Sequence, residues 1–357
     1  MHKLAVLLSL ALVSSLGWSQ QPPAAPERQQ IAWQAQDSNT DAQLRGISAV
    51  SDKVAWASGA KGTILRTIDG GKKWLQSEIV GADNLDFRDI QAFDQNTAFV
   101  LSIGPGDASR IYKTADGGRI WQLQFTNRDP KAFYDCFAFW DSTHGIALSD
   151  SVDGKFPLIS TSDGATWNPV AVKKMPAALP NEGAFAASGT CVATFGKNDV
   201  WFATGGPAAR VFHSADRGVT WTVAETPVIH GAATQGIFSL AFWSAKDGIA
   251  IGGDYKEPSK ASGNTAITHD GGKNWKLIES GPHGYRSGVA VVGGNLPHLV
   301  AVGTSGADDS SDLGQTWNHA DDGNYNAVSF AGQVGWAVGP AGHIAWISRA
   351  PNAHDSK

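Results

Sequence analysis

Several things are scarce in this chain at once. Only 17% of its 357 residues are charged, and it contains two cysteines and two methionines. The formal net charge is −5 and no run of Lys or Arg exceeds two residues, which excludes the concentrated basic footprint that a nucleic-acid partner requires. Glutamate is sparse: five lie beyond the N-terminal tail, and three of these (Glu78, Glu225, Glu279) follow a repeated tryptophan by four residues. Long exposed helices are not supported by such a composition. The ten histidines are scattered, without a His-x-His or His-x-x-x-His pair, so no metal is expected. A nucleophile elbow is absent. The one Gly-Pro-Gly, at 104–106, precedes no helical pattern and is not a dinucleotide fingerprint. No cofactor is expected and no catalytic constellation is complete, so the reading leans away from an enzyme.

Long apolar runs are lacking too. The exception is Leu4 to Val13, behind a Met-His-Lys start and ahead of the Pro-rich residues 21–26. Ten residues are too few to span a bilayer, and the pattern is that of a secretory signal. The expected organisation is a cleaved signal over residues 1–20, a Pro/Gln-rich linker over 21–30, one domain over 31–349 and a tail over 350–357. No cysteine follows the apolar run, so a lipid anchor there is not expected. The mature protein is expected outside the cytoplasm, periplasmic or secreted, and not membrane-spanning.

What the chain has in abundance is glycine (41), tryptophan (14) and one phrase written six times. Residues 67–74 read Thr-Ile-Asp-Gly-Gly-Lys-Lys-Trp, and the motif (Ser/Thr)-x-Asp-x-Gly-x-x-Trp recurs around Asp69, Asp116, Asp163, Asp216, Asp270 and Asp312, with the third copy one residue short. The aspartates are 47, 47, 53, 54 and 42 residues apart, a period of four-stranded propeller blades. Seven first strands align, beginning near Leu44, Phe87, Phe133, Ser188, Ile237, Tyr285 and Tyr325, against six motifs. The seventh copy stops after its third strand, at 343–348, and residues 31–36 read as an orphan fourth strand with Trp33 at the motif-tryptophan position. The fold expected is therefore all-β: a seven-bladed β-propeller closed by an N-terminal strand, which leaves no open edge. The aspartates are read as structural, each accepting backbone N–H groups one to three residues on while the fifth-position glycine turns left-handed.

These turns resemble the Asp-box, or bacterial neuraminidase repeat. The blade pattern, with Leu44-Arg45, Phe87-Arg88-Asp89, Tyr285-Arg286, Gly335-Trp-Ala-Val-Gly339 and Gly62-Thr-Ile64, is most similar to the photosystem II stability/assembly factor-like propellers. That resemblance implies a lumenal or periplasmic protein that helps assemble membrane complexes, with arginines near the central channel. The sialidase-type hydrolases are less similar: Phe87-Arg88-Asp89-Ile90 lacks their proline and falls in blade two.

The ligand face of a propeller is built where chains enter the first strands. In the sequence alignment that position holds Arg45, Arg88, Tyr134, Gly189, Phe238, Arg286 and Asn326. Arg45, Arg88, Asp89, Tyr134, Asp135, Tyr285, Arg286 and Asn326 are the candidate channel-mouth residues, an anion or acidic-peptide site, or else internal glue with Asp89 and Asp135 pairing the arginines. Two long insertions, 172–184 and 252–264, offer Lys173, Lys174, Tyr255, Lys256 and Lys260 as rim residues. Cys136 and Cys191 align on neighbouring first strands, where a disulfide or a pair of small packed thiols both fit. The partner expected is a protein, plausibly a component of an envelope or membrane complex, with a glycan, bound or cleaved, as the alternative.

Overall fold

The computed structural model describes residues 31–293 and 298–349. The expected signal, linker and tail lie outside the described residues. Seven sheets of four antiparallel strands make up nearly all of the regular structure, with one short 3-10 turn at Gly106–Ala108. In blade one the strands are Leu44–Ala49, Ala55–Gly59, Ile64–Thr67 and Leu75–Ser77, paired in chain order. The seventh sheet is built differently. Ala327–Ala331, Val334–Val338 and Ile344–Arg349 come from the end of the chain, and its outer strand is Ile31–Gln36, with Ile31 opposite Arg349 and Gln36 opposite Ile344.

Each second strand carries a large side chain that disappears between two blades. Trp56 and Trp336 are wholly buried, and so is Trp201. Seven of the eight apolar clusters among the described residues each draw on two successive blades. One joins Trp56 and Ile64 to Phe87, Ile90 and Val100; another joins Leu44, Ala57 and Trp74 to Trp336 and Val338, so the first and seventh blades are neighbours. Burying an indole removes on the order of 200 Å² of mostly apolar surface from water, worth several kcal/mol per blade at roughly 25 cal/mol per Å².

The Asp-box turns fold as staples, with a correction to the bonding. In blade four Asp216 Oδ1 accepts from the Ser214 hydroxyl (2.8 Å) and the Thr220 N–H (2.8 Å), while the Ser214 oxygen accepts from the Gly218 N–H (2.8 Å). The donors lie three and four residues beyond the aspartate in full-length boxes, as with Lys273 and Asn274 for Asp270, and two and three beyond it in the short copy around Asp163. Gly218 and its counterparts take positive φ, 88° here, where a side chain would be strained. The Asn274 side-chain amide, followed by its N–H, holds the Asp270 carboxyl down at about 2, and the Thr166 N–H is the chief cause that depresses Asp163.

Three box tryptophans, Trp74, Trp121 and Trp167, also tie blade to blade, while Trp221, Trp275 and Trp317 donate within their own turns. Trp121 donates to Ser77 Oγ (2.9 Å) and Trp167 to Gln124 Oε1 (3.2 Å) of the preceding blade. At the junction of the first and last blades, Gln36 Oε1 accepts from Trp74 of blade one and from Trp336 of its own blade (both 3.1 Å), and its Nε2 donates to the Gly70 carbonyl of blade one (2.9 Å). Cys136 and Cys191 form a disulfide between blades three and four, with Cα atoms 6.2 Å apart.

Blade four departs from the expected register. Its first strand is Val192–Phe195, not a strand from Ser188, because the preceding insertion occupies the start of the strand through the bridges Gly183–Gly205 and Gly205–Gly236. Blade six likewise starts at Gly288 rather than Tyr285.

Replacing Gln36 by Ala should leave two indole N–H groups without an acceptor and cost about 1–3 kcal/mol. Thermal melting beside a Gln34→Ala control checks this; equal melting of the two variants would mean that the N-terminal strand does not carry the junction.

Candidate functional site

The site begins with a bulge. Where a first strand pairs with its second, the register skips one residue in blade one between Leu44 and Gly46, in blade two between Phe87 and Asp89, in blade three between Tyr134 and Cys136 and in blade five between Ile237 and Ser239. The extra residue leaves the ladder and its side chain is re-aimed. Those residues are Arg45, Arg88, Asp135 and Phe238.

Ladder pairing fixes which residue is equivalent to which. Ile47 faces Ala57, Ile90 faces Val100, Phe137 faces Ala147, Val192 faces Phe202, Leu240 faces Ala250, Val289 faces Ala301 and Val328 faces Ala337. Two residues earlier stand Arg45, Arg88, Asp135, Thr190, Phe238, Ser287 and Asn326. The sequence alignment was one residue out in blades three, four and six, and a one-residue slip exchanges the two faces of a strand. Arg286 therefore takes the inward position of Leu44 and Phe87. It is wholly buried and pairs with the equally buried Asp308, its Nε 2.7 Å from Oδ2. Burial lowers the Arg286 pKa, and Asp308 opposes that. Tyr134 is inward as well, packed on Phe125 at 5.2 Å, its hydroxyl pushed up to about 12 by burial.

A cavity of about 480 Å³ opens at the end of the blades where the first strands begin. Its lining includes Arg45, Arg88, Phe185, Phe238, Tyr255, Tyr285 and Asn326. Phe185 and Phe238 stack at 3.8 Å, and Tyr285 meets Phe238 edge-on at 4.8 Å. Arg88 is held from both sides, by Asp86 (Nε to Oδ2, 2.8 Å) and by the Ala186 carbonyl (3.0 Å). Arg45 is not held: its buried Nε has no hydrogen-bond partner among the described residues. Burial, and then the charge of Arg88, lowers the Arg45 pKa. Two neighbouring guanidinium groups against an aromatic wall favour an anion with an apolar flank.

The remaining candidates separate. Asp89 is not at the mouth. It is buried, stitching blade two to blade three by accepting from the Phe137 N–H (2.8 Å), and burial raises its pKa well above the usual range. Asp135 is buried behind Arg88 with its Oδ2 unpartnered, and burial followed by the charge of Asp150 raises it. Asn326 lines the mouth while donating to the Leu44 carbonyl (2.8 Å). Lys173, Lys174 and Tyr134 line a different groove of about 820 Å³, on blade three, with Val170 and Met175. Of the second insertion, Tyr255 reaches the mouth, Lys256 lies 5.7 Å from its ring centre and Lys260 pairs with Glu257 at 3.2 Å.

Sequence reasoning missed Phe185 and the pair that positions it. Glu182, buried at the end of the first insertion, binds the Arg210 guanidinium (Nε to Oε1, 2.8 Å), the Thr204 hydroxyl (2.6 Å) and the Leu179 N–H (2.8 Å). That anchor leads into residues 183–187, of which Phe185, Ala186 and Ala187 line the cavity. Breaking the i-to-i+1 run of small residues there, the aromatic in Gly183-Ala184-Phe185-Ala186 was the available signal.

The family model described as photosynthesis system II assembly factor YCF48 matches residues 25–132, the region of blades one and two. The chain resembles the photosystem II assembly factors. The photosystem II assembly lipoprotein Ycf48 of Picosynechococcus sp. is 22% identical over 319 residues, which is 76% of this chain and 84% of the relative. Among solved structures, YCF48 bound to D1 peptide superimposes with a TM-score of 0.62 at 15% identity, covering 92% of this chain and 99% of that one. An ancestral GH74 enzyme gives 0.63 at 13% identity, over 91% of this chain but 47% of its own. At these identities the structural matches establish the propeller fold.

Asp150 gives a pH signature. Its Oδ1 accepts from the Ala184 N–H (2.8 Å), and burial lifts its pKa from 3.8 to about 6. The folded protein thus binds a proton that the unfolded chain has released, so the contribution of Asp150 to stability falls as pH rises from about 4 to about 6, by roughly 1 kcal/mol per pH unit at most. Asp150→Asn should remove that slope in denaturant titrations at successive pH values; an unchanged slope would place the titration elsewhere.

Proposed function

We propose that this chain is a non-catalytic, exported propeller that holds an acidic segment of a protein partner at its arginine mouth, as an assembly or maintenance factor for an envelope or membrane complex. The observation that carries the reading is Arg45, a guanidinium with an unpartnered buried Nε beside Arg88 in an open cavity. Leaving such a donor unpaired costs free energy that a carboxylate would recover. The resemblance supports the choice of a protein ligand, since a YCF48 propeller has been solved with a D1 peptide. Export through residues 1–20, cleaved ahead of a linker over 21–30 and a single propeller over 31–349, fits the Cys136–Cys191 bond, which persists in oxidising compartments. The relatives' designation as lipoproteins points the same way. The box aspartates are each engaged within their own turns, which supports a structural role for them rather than a catalytic one.

The test is binding of a fluorescent acidic peptide, followed by pull-down from envelope extract. Arg45→Ala with Arg88→Ala should weaken the peptide by at least about tenfold, the loss of one or more charge-assisted hydrogen bonds. Unchanged affinity, or ligands confined to glycans on a sugar array, would overturn the reading.

A further inference from the structure

Blade three ends in an outer strand of two residues, Asn168–Pro169, where blades one, two and four have three to five. Pro169 stands opposite Ile159 and has no N–H to give. The chain then leaves the sheet. The Lys173 N–H donates to the Val219 carbonyl of blade four (2.9 Å), and the Trp221 N–H donates to the Lys174 carbonyl (2.8 Å). It returns to blade three at Ala178, whose N–H donates to the Gly154 carbonyl (2.9 Å). Between the outward path at 172–177 and the turn at 152–157 lies the groove of about 820 Å³.

The floor of this groove is apolar. Phe156 and Leu158 are buried there, and Val170, Val172 and Met175 pack half-buried on the same cluster. Pro157, Pro169 and Pro176 stand in the walls, with φ preset and no backbone N–H to offer. The rim is cationic. Lys155, Lys173 and Lys174 are exposed, and their side chains have no ion-pair or hydrogen-bond partner among the described residues. Against them stand the carboxylates of Asp129 and Asp153, with Lys131 held on Asp153 at 3.1 Å. Four lysines against two aspartates leave two positive charges here, on a chain whose formal net charge is −5.

We propose that this groove is a second docking site, for an extended segment of a protein partner that carries aliphatic side chains between carboxylates. The aliphatic groups cover the floor and leave water. The carboxylates meet the lysines at the rim, where charge sets specificity and speeds encounter. The insertion that walls the groove at 172–177 also lines the arginine mouth, through Phe185, Ala186 and Ala187, so one insertion presents both sites to one partner. The choice of a protein rests on the proposed function; the apolar floor and cationic rim do not depend on the mouth.

The experiment uses the full chain carrying Arg45→Ala and Arg88→Ala, which takes the mouth out of the measurement. The probes are a short fluorescent peptide of leucine and glutamate, a version with serine for leucine and a version with lysine for glutamate. The first should bind and carry a photo-crosslinker to residues 152–177, and the other two should bind at least about tenfold more weakly. Adding Lys173→Glu with Lys174→Glu should weaken the first peptide by at least about tenfold. Residues 173 and 174 hold to blade four through their backbone, so the charge reversal spares the fold, and a melt checks this. Failure of the mouth reading would show instead as equal peptide affinity with and without Arg45 and Arg88, and leaves the lysine comparison standing. Three results would overturn the inference: no binding by the chain without its mouth arginines, equal binding after the lysine reversal or crosslinks outside 152–177, and a solution dimer that the reversal splits, which would assign the groove to a second copy.

Discussion

The pairing of each first strand with its second is the constraint on which the rest of this molecule depends. In four of the seven first strands one bulged residue decides which side chain leaves the ladder. In blades one and two that residue is arginine, in blade three a buried aspartate, in blade five a phenylalanine. The chemistry at the mouth is thus the sum of seven register decisions, and two of them supply its charge. The residues on either side of the bulge face inward and make the ring rigid: Asp89 bonds the next blade's backbone, and the two cysteines, which share the position of Asp89, bond each other.

Tight bonding and open space are divided between the two ends of the strands. At the box end, hydroxyl, carboxylate and glycine close each turn with local bonds, while the tryptophans and Gln36 lock neighbours together. At the mouth end the packing is less complete, and the 480 Å³ cavity is lined by groups of opposite character, two cations and four aromatic rings. Such a site is held open by its scaffold.

The fold was legible because its signals repeat. Six turn motifs, an incomplete seventh copy and an orphan strand around Trp33 specify the blades, whatever happens at any one of them. The site was legible only in part, because a site depends on single residues. The spacing from box to first strand does not reveal where a bulge falls, so Arg286 and Tyr134 were assigned to the mouth although both point inward. One residue signalled the error: Asp308 stands in a third strand opposite Ala301, at the place of Leu65 and Tyr112 in blades one and two, and a charge buried there demands a partner. Phe185 was hidden differently, inside an insertion whose fold depends on the distant Arg210.

The account stands or falls on the separation of two arginines that look alike in sequence. Melting temperature and acidic-peptide affinity measured side by side for Arg45→Met and Arg286→Met make the test. Arg286→Met should lose stability, by about 3–5 kcal/mol for a broken buried pair, while the protein that remains folded keeps its affinity. Arg45→Met should melt like the parent and lose the peptide. The reverse pattern, with Arg286 governing affinity and Arg45 governing stability, would contradict the register on which the site is built.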